Sequence, residues 1–256
     1  MKQMIWAEIL ENRPLCEDIF SMVLSVGPMA KEARAGQFVN VYTGEGAHLL
    51  PRPISICEID EAEGTLRLVY QVVGKGTSLF SQMTEGQEVQ VLGPLGNGFF
   101  LPEGEGHHIL VGGGIGVPPM VELAKRLKGQ VDVYVGARSN PVLLDRLEEV
   151  GATVHVATDD GSVGFHGNVV QLMEHDGAKG DDLFACGPKI MLRFVTEWAL
   201  KNNIRPQVSM EERMACGIGA CVGCVVKIQK QGESDWQHLK VCKDGPVFYG
   251  DEVIWE

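Results

Sequence analysis

The chain has 256 residues, of which 45% are hydrophobic, so it is long enough to bury a substantial core and to form about two domains. Its formal charge is -12, from 34 acidic and 22 basic residues, and the basic residues form no block longer than a pair, which argues against a nucleic-acid partner. No segment has the apolar run that a membrane-spanning helix needs, and the N-terminal stretch has no small-residue cleavage site. We therefore expect a cytoplasmic protein with no nucleic-acid or membrane partner.

Short β-prone segments broken by glycine and proline fill the first part of the chain. They include IFSMVLSV, QFVNVYT, RPISICEI, TLRLVYQVV and QEVQVLGPLG. Several short strands without a long helical stretch are typical of an antiparallel barrel or sandwich. We predict a first domain over residues 1–101.

Apolar strands alternate with amphipathic helices between residues 108 and 199. The order of strand, helix and strand predicts a doubly wound parallel sheet, which we assign to a second domain over residues 102–205. The last part of the chain contains most of the cysteines and two alternating strand patterns, CVVKIQK and QHLKVCKD. It is predicted to be a third, small domain over residues 206–256.

Four of the seven cysteines have the spacing of an iron–sulfur site. They are Cys216, Cys221, Cys224 and Cys242, and the first three reproduce the C-x4-C-x2-C run of plant-type [2Fe-2S] proteins. The residues between the first three cysteines are mostly glycine and alanine, which lets the backbone fold closely around a cluster and aim N–H groups at its sulfurs. The spacing predicts a [2Fe-2S] cluster held by these four thiolates.

A structural zinc site is the alternative for the same four cysteines. Zinc sites of this kind usually have two C-x2-4-C pairs, whereas here the distal ligand is a single cysteine, which favours iron and sulfur. A disulfide framework does not fit a cytoplasmic chain with an odd number of cysteines. Cys16 and Cys57 stand alone in apolar surroundings and are interpreted as buried hydrophobic residues.

Two motifs in the predicted barrel suit a flavin. Arg52 and Ser55 lie at the start of a β-prone strand, where they can bind a flavin ring edge and a pyrophosphate. Gly76 and Thr77 follow in the sequence GKGT and can present backbone N–H groups to a phosphate. Taken alone, each motif is unremarkable, and Arg52-Pro53 by itself is better explained as an ordinary strand entry.

A glycine-rich turn in the second domain suits a dinucleotide. Residues 110–120, LVGGGIGVPPM, read as a strand, a turn and a helix with proline in its first turn. The turn is not the G-x-G-x-x-G fingerprint, because Val117 occupies the place of the third glycine. A second strand end, Cys186-Gly187-Pro188, is expected beside it, and two such ends at the carboxyl edge of a sheet make a cleft.

The motifs together carry a family resemblance. R-P-I-S, G-K-G-T, G-G-G-I-G-x-P-P and C-G-P, in that order, resemble the ferredoxin-NADP reductase superfamily. With M-A-C-G-I-G-A-C-V-G-C added, nearly the whole chain closely resembles the electron-transfer subunits of NAD-dependent dihydroorotate dehydrogenase.

This resemblance implies a Greek-key barrel that binds FAD, an α/β domain that binds NAD, and a [2Fe-2S] domain that faces a catalytic partner. The partner would be the FMN-containing subunit, in an α2β2 heterotetramer. The implied FAD contacts are Arg52, Pro53, Ile54, Ser55, Val69, Tyr70, Gln71, Gly76 and Thr77, and the implied NAD contacts are Gly113, Gly114, Gly116 and Cys186. The superfamily often has an aromatic residue where this chain has Ile54, so packing on the flavin ring falls to Ile54 or to Tyr70.

The implied route runs from dihydroorotate through FMN on the partner, then through the cluster and FAD to NAD+. A flavin exchanges hydrides and single electrons, whereas a [2Fe-2S] cluster carries one electron at a time, so FAD converts between the two. The chain is too short for an additional (β/α)8 barrel, which places dihydroorotate oxidation elsewhere. No acid or base is needed in this chain for the hydride step.

Other charged residues have simpler interpretations. His107 and His108 are interpreted as a strand entry at the surface, and Asp159-Asp160-Gly161 as a turn near the nucleotide ribose. Arg138, near a strand end, would suit the 2′-phosphate of NADP, but the resemblance favours NAD. Two other functions remain open, namely a related reductase subunit with another redox partner and a non-enzymatic, zinc-stabilised assembly module.

Overall fold

Six strands in the first part of the chain form a closed antiparallel barrel. The computed structural model describes residues 2–44, 46 and 49–255. The barrel strands are β1 (Gln3–Pro14), β2 (Ile19–Ser25), β3 (Phe38–Tyr42), β4 (Arg52–Asp60), β5 (Thr65–Gln71) and β6 (Glu88–Leu95), with the short helices α1 (Met29–Glu32) and α2 (Lys75–Phe80) in the connections. Their order is β1-β2-β5-β4-β3-β6, and β1 pairs with β6 to close the barrel.

Alternation along the strands decides which side chains fill the barrel. On β3, Val39 and Val41 belong to the buried core inside the barrel. Phe38 belongs instead to the core of the neighbouring sheet and the cysteine segment. Asn40, two residues from Phe38, therefore shares the outward face of β3.

A seven-stranded sheet forms the second layer of the molecule. Its strands are β7 (Gly106–Gly113), β8 (Gly129–Ala137), β9 (Thr153–Thr158), β10 (Phe165–His166), β11 (Asp182–Cys186), β12 (Pro206–Ser209) and β15 (Val247–Tyr249). The helices between them are α3 (Pro118–Arg126), α4 (Leu144–Glu149), α5 (Val169–His175) and α6 (Lys189–Lys201). A separate hairpin of β13 (Val225–Ile228) and β14 (Gln237–Lys240) lies between β12 and β15 in the chain. The order is β10-β9-β8-β7-β11-β12-β15, and every pair is parallel except β12 with β15. The predicted doubly wound sheet is confirmed.

The strand order changes direction between β7 and β11. From β7 the chain continues through β8 and β9 to one edge, whereas β11 and β12 extend the sheet the other way. Open parallel sheets bind ligands in the crevice at such a switch point, outside the carboxyl ends of the strands. Here those ends are the turn after Gly113 and the turn after Cys186.

The cysteine segment leaves the sheet after β12 and returns to it at β15. The boundary predicted between residues 205 and 206 lies directly before β12, which pairs in parallel with β11. The sheet therefore continues across this boundary, and the segment between Met210 and Pro246 forms the protruding unit. None of the helices in the described part of the chain has the length and apolar character needed to cross a bilayer.

A buried glutamate fastens the barrel to the sheet domain. Glu122 on α3 is fully buried, and its carboxylate accepts hydrogen bonds from the Ile59 backbone N–H at 2.8 Å and from Arg126 Nε at 2.5 Å. Arg126 also pairs with Glu61 at 2.9 Å. The attachment holds the barrel at a fixed position beside the sheet and so fixes the cleft between them.

The interpretation of both histidines as surface residues is wrong for His108. His108 is fully buried; its Nδ1 lies 3.0 Å from Asp182 Oδ2, and its Nε2 lies 2.9 Å from the Lys128 carbonyl oxygen. Alternation along β7 turns it inward, where its ring lies 6.5 Å from that of Phe184. His107 points the other way and pairs with Asp132 at 2.5 Å.

Candidate functional site

One cleft runs from β4 and β5 of the barrel to the glycine-rich turn after β7, with a volume of ≈ 2230 Å³. Small-molecule sites reach roughly 1,000 Å³, so this cleft has room for two ligands side by side. Every predicted flavin and nicotinamide residue except Gly76 lines it: Arg52, Pro53, Ile54, Ser55, Val69, Tyr70, Gln71, Thr77, Gly113, Gly114, Gly116 and Cys186. Asp159 and Arg138 line it too.

Gly76 lies behind Arg52 rather than on the cleft wall. A Cβ at residue 76 would be 2.1 Å from Arg52 Nε, and Arg52 Nη1 donates a hydrogen bond to the Leu50 carbonyl. Because Gly76 has no side chain, the Arg52 guanidinium can occupy this position without a clash. A guanidinium in this wall offers positive charge and a fork of donors that suits a phosphate.

Thr77 stabilises the turn that leads into α2. Its Oγ1 accepts hydrogen bonds from the backbone N–H groups of Val73 at 3.0 Å and Gly74 at 3.3 Å, and it donates to the Gly74 carbonyl at 3.1 Å. The hydroxyl is thus occupied within the turn. Thr77 would therefore act on a ligand indirectly, by holding the backbone of this turn beside Arg52.

The ring of Tyr70 is packed into the barrel. It stacks on Phe20 with ring centres 5.9 Å apart and meets Phe80 edge-on at 6.0 Å. Its hydroxyl donates to Asn12 Oδ1 at 3.1 Å, and burial raises the pKa of Tyr70 to about 12. Of the two candidates for packing on a flavin ring, Ile54 is the one whose side chain is half-buried at the cleft.

Gln71 connects the end of β5 to the loop between β1 and β2. Its Nε2 donates to Asp18 Oδ2 at 2.5 Å, and the Val72 N–H donates to the Asp18 carbonyl at 2.7 Å. Glu17 and Asp18 also line the cleft. This loop therefore closes one side of the flavin-side wall.

The glycine-rich turn packs directly against the second strand end. A Cβ at Gly116 would lie 2.2 Å from the Cys186 carbonyl oxygen, and one at Gly113 would lie 2.5 Å from Met191 Sδ. Gly114 has φ +53, which favours glycine. These glycines are required by the close approach of the ends of β7 and β11, which leaves the backbone itself as the wall of the crevice.

The thiol of Cys186 stays protonated at neutral pH. Burial raises its pKa to about 12, against the opposing effect of a hydrogen bond with the Ser209 side chain. A neutral thiol is a weak nucleophile. Cys186 therefore offers a small, polarizable surface at the cleft and no acid or base chemistry.

The four cysteines of the predicted cluster come together as two pairs. The sulfur atoms of Cys216 and Cys221 are 3.3 Å apart. Cys242, which follows β14, is hydrogen-bonded to Cys224, and the charge of Cys216 also acts on it. The topology thus brings the distal cysteine to the three that are close in sequence.

Backbone N–H groups surround the first pair. The Cys221 N–H donates to Cys216 Sγ at 3.4 Å, and the N–H groups of Ile218 and Ala220 point to the same sulfur. Burial opposes ionisation of Cys216, but these donors lower its pKa to about 6. The loop is therefore arranged to hold negative charge on sulfur.

The second pair is buried. Burial and, next, the hydrogen bond and charge of the neighbouring Cys224 together raise the pKa of Cys242 to about 12, against the opposing effect of the Gly219 N–H. Two buried thiolates side by side need positive charge between them. An iron ion held by Cys224 and Cys242 would supply that charge.

This arrangement fits two metal ions better than one. A zinc site needs four ligands around one ion, whereas each iron of a [2Fe-2S] cluster takes two thiolates. The pairs Cys216–Cys221 and Cys224–Cys242 therefore fit the cluster.

Known proteins match both the cysteine segment and the whole chain. The family model described as the iron-sulfur cluster binding domain of dihydroorotate dehydrogenase B matches residues 211–254. The electron transfer subunit of dihydroorotate dehydrogenase B (NAD(+)) from Streptococcus thermophilus is 42% identical, with 96% of each chain covered. The subunit of the same name from Caldanaerobacter subterraneus is 37% identical over the full length of both chains.

The chain belongs to this family of electron-transfer subunits. A solved structure of an NADH-dependent reduced ferredoxin-NADP oxidoreductase, described for flavin-based electron bifurcation, also matches, with a TM-score of 0.85 and 32% identity over 98% of this chain and 90% of the other. The predicted family and fold class are confirmed, as is the chain's function as an oxidoreductase subunit for electron transfer. The predicted cofactors, FAD and a [2Fe-2S] cluster, agree with the iron–sulfur domain and with the flavoprotein fold.

Sequence reasoning about the electron-transfer subunit missed one residue near the cluster. Asn40 Nδ2 donates to the Cys216 carbonyl at 3.0 Å, which joins the barrel to the cluster loop. The available signal was a polar residue between Val39 and Val41 in an otherwise apolar strand. The Asp159-Asp160-Gly161 turn is present as predicted: the Gly161 N–H donates to the Thr158 carbonyl at 3.2 Å.

Proposed function

We propose that the chain transfers electrons between an FMN-containing dihydroorotate dehydrogenase catalytic subunit and NAD+, within an α2β2 heterotetramer. The observation that carries the proposal is the single cleft that joins the Arg52 strand to the glycine-rich turn, beside the cysteine unit. When bound, FAD exchanges a hydride with a nicotinamide and single electrons with a [2Fe-2S] cluster. The names of the relatives, which include NAD(+) and the word subunit, support the substrate and the presence of a partner.

On the flavin side, the residues of this chain bind and orient. Arg52 offers its guanidinium to a phosphate, and Gly76 keeps that guanidinium in place. Ile54 packs on the ring, and Pro53 and Ser55 continue the same strand. Val69, Tyr70, Gln71 and Thr77 complete the wall.

On the nicotinamide side, the backbone makes the site. Gly113, Gly114 and Gly116 let a dinucleotide approach the main chain at the switch point of the sheet. Cys186 contributes a neutral thiol, so no proton is moved there during hydride transfer. Cys216, Cys221, Cys224 and Cys242 hold the iron ions.

Co-expression with an FMN-containing dihydroorotate dehydrogenase catalytic subunit tests this proposal. The two chains should co-purify with the mass of an α2β2 assembly by light scattering, and dihydroorotate should then drive NAD+ reduction, seen at 340 nm. An assembly in which dihydroorotate bleaches FMN while no NADH forms would contradict it.

A related reductase subunit with another redox partner is the second candidate, because the solved NADH-dependent ferredoxin-NADP oxidoreductase is 32% identical. The same preparation distinguishes the two. Reduced ferredoxin, offered in place of dihydroorotate and the catalytic subunit, should not support NAD+ reduction at a comparable rate. Efficient turnover with ferredoxin alone would favour the second candidate.

A further inference from the structure

One asparagine links a cluster ligand to the flavin side of the barrel. Asn40 Nδ2 donates to the backbone carbonyl of Cys216 at 3.0 Å. In the barrel, Asn40 on β3 is the cross-strand partner of Pro53 on β4, which lines the cleft. A single side chain therefore lies between the flavin-side strand and the first cysteine of the cluster.

The polar group of Asn40 is costly for the barrel. The residue is fully buried, and its Oδ1 has no hydrogen-bond partner among the residues described by the structure. Burying an unpaired acceptor costs free energy that a leucine of similar size would avoid. Phe38, on the same outward face of β3, shows that the surroundings accept an apolar side chain. The amide is thus not explained by barrel packing, and within the part of the chain that the structure describes, its hydrogen bond goes to Cys216.

The backbone of the cluster loop packs directly against this amide. Gly217 has φ +67, and a Cβ there would lie 2.4 Å from Asn40 Nδ2 and 2.7 Å from Oδ1. Only a glycine lets the loop backbone rest on the asparagine in this conformation. The contact therefore depends on a residue from each side: the buried amide of Asn40 on the barrel and the glycine at residue 217 in the loop.

A second asparagine holds the other end of the cysteine unit. The Asn97 N–H donates to the Gly245 carbonyl at 2.6 Å, and Asn97 Nδ2 donates to the Asp244 carbonyl at 3.0 Å, shortly after Cys242. The barrel thus holds the unit at two points. Of these two asparagines, Asn40 is the one bonded to a cysteine of the cluster.

We propose that Asn40 is a positioning residue for electron transfer, which fixes the Cys216 loop at a set separation from the flavin-side strand. The inference rests on the proposed function. The rate of a one-electron step falls with the separation of donor and acceptor, and small displacements of reacting groups have large effects on rate. The surroundings of a cluster also set its electronic properties. Loss of the Asn40–Cys216 bond should therefore change the transfer step and the cluster spectrum while hydride transfer continues.

Asn40→Leu tests the inference in the purified chain with FAD and cluster bound. After anaerobic mixing with NADH, stopped-flow absorption separates flavin reduction from the following cluster reduction. We expect the first rate to match the parent and the second to fall about tenfold or more, with a broadened electron paramagnetic resonance (EPR) signal from the reduced cluster. Asn202→Leu is the control, because it also removes an asparagine that donates to a backbone carbonyl, that of Trp198 at 2.8 Å, away from the cluster. Parent-like cluster reduction and spectrum in Asn40→Leu would overturn the inference.

Gly217→Ala approaches the same contact from the loop. It adds a methyl group where the Asn40 amide lies, so it should also slow cluster reduction selectively. If Asn40→Leu fails to retain FAD or iron, Gly217→Ala tests the inference instead. Parent-like kinetics of cluster reduction in Gly217→Ala would then refute the role of Asn40. Failure of the proposed function is distinguishable, because that function is tested by dihydroorotate-driven NAD+ reduction in the assembly with the catalytic subunit, whereas the role of Asn40 is tested by comparing each variant with the unsubstituted chain alone.

Discussion

Arg52 Nε lies 2.1 Å from the point that a Cβ of Gly76 would occupy, so the guanidinium and the glycine depend on each other. Gly76→Ala should push the guanidinium off the cleft wall and weaken FAD binding by about tenfold, the effect of losing a charge-assisted hydrogen bond. Arg52→Ala should weaken binding at least as much. FAD content after gel filtration and fluorescence titration measure both effects.

Gly74→Ala is the matched control for this pair. Gly74 lies in the same turn, but a Cβ there would have no heavy atom within 4 Å. We expect this variant to retain FAD as the parent does. Equal FAD retention in Gly76→Ala and Gly74→Ala would show that the guanidinium is not a ligand of the flavin nucleotide.

Cys221→Ser should separate the two halves of the electron route. Serine is a poor ligand for iron in place of the thiolate that pairs with Cys216, so the cluster should be lost or altered. NADH oxidation with an artificial two-electron acceptor should remain, whereas electron delivery to the partner subunit should stop. Cys57→Ala, a change at a buried cysteine outside the four and outside the cleft lining, should keep both activities. Survival of both activities in Cys221→Ser would contradict the role of the cluster.

Cys186 should resist alkylation at ordinary pH. With a pKa of about 12, only about one thiol in ten thousand is ionised at pH 8, and the thiolate is the reactive form. Because raising the pH ionises more of the thiol, the alkylation rate should rise about tenfold per pH unit as long as the fold is intact. Mass spectrometry of the Cys186 peptide after iodoacetamide treatment measures this, with denatured protein as the reactive reference. Rapid modification of the native protein at pH 8 would contradict the assignment of a neutral thiol.

Glu122 should be essential for the attachment of the barrel to α3. Glu122→Leu leaves the Ile59 N–H and part of the Arg126 guanidinium without an acceptor, so the free energy of unfolding should fall by about 3 kcal/mol or more. Glu197→Leu removes an exposed ion pair with Arg193 at a similar helical spacing and should cost less than about 1 kcal/mol. Chemical denaturation of both variants measures the difference, and equal losses would show that the buried carboxylate has no special role.

Local signatures predicted the parallel sheet and the four cysteines, whereas the strand pattern alone allowed an antiparallel barrel or sandwich and the family resemblance implied the barrel. Strand alternation, the strand–turn–helix order around Gly114 and the C-x4-C-x2-C spacing are visible without any knowledge of distant contacts. The pairing of Cys242 with Cys224 needed the path of the chain through β13 and β14. The addition of β12 and β15 to the parallel sheet likewise depends on pairing between distant segments.

Residues defined by contacts between distant segments could not be predicted. His108 looked like part of an exposed strand entry, but the direction of β7 turns it inward. Asn40 looked like an irregular polar residue in a strand, because its partner, Cys216, lies 176 residues away. Tyr70 carried no sign that its hydroxyl would bond to Asn12 across the barrel.

FAD and a [2Fe-2S] cluster bound by this chain should form one electron route from NADH or to NAD+. Anaerobic titration of the purified chain with NADH, followed by visible absorption and by EPR spectroscopy at low temperature, tests it most directly. We predict that the flavin absorption bleaches and that one reduced [2Fe-2S] signal appears per chain, with iron and FAD in a ratio of about two to one. A colourless protein that contains zinc, or a bleached flavin without any cluster signal, would contradict the account.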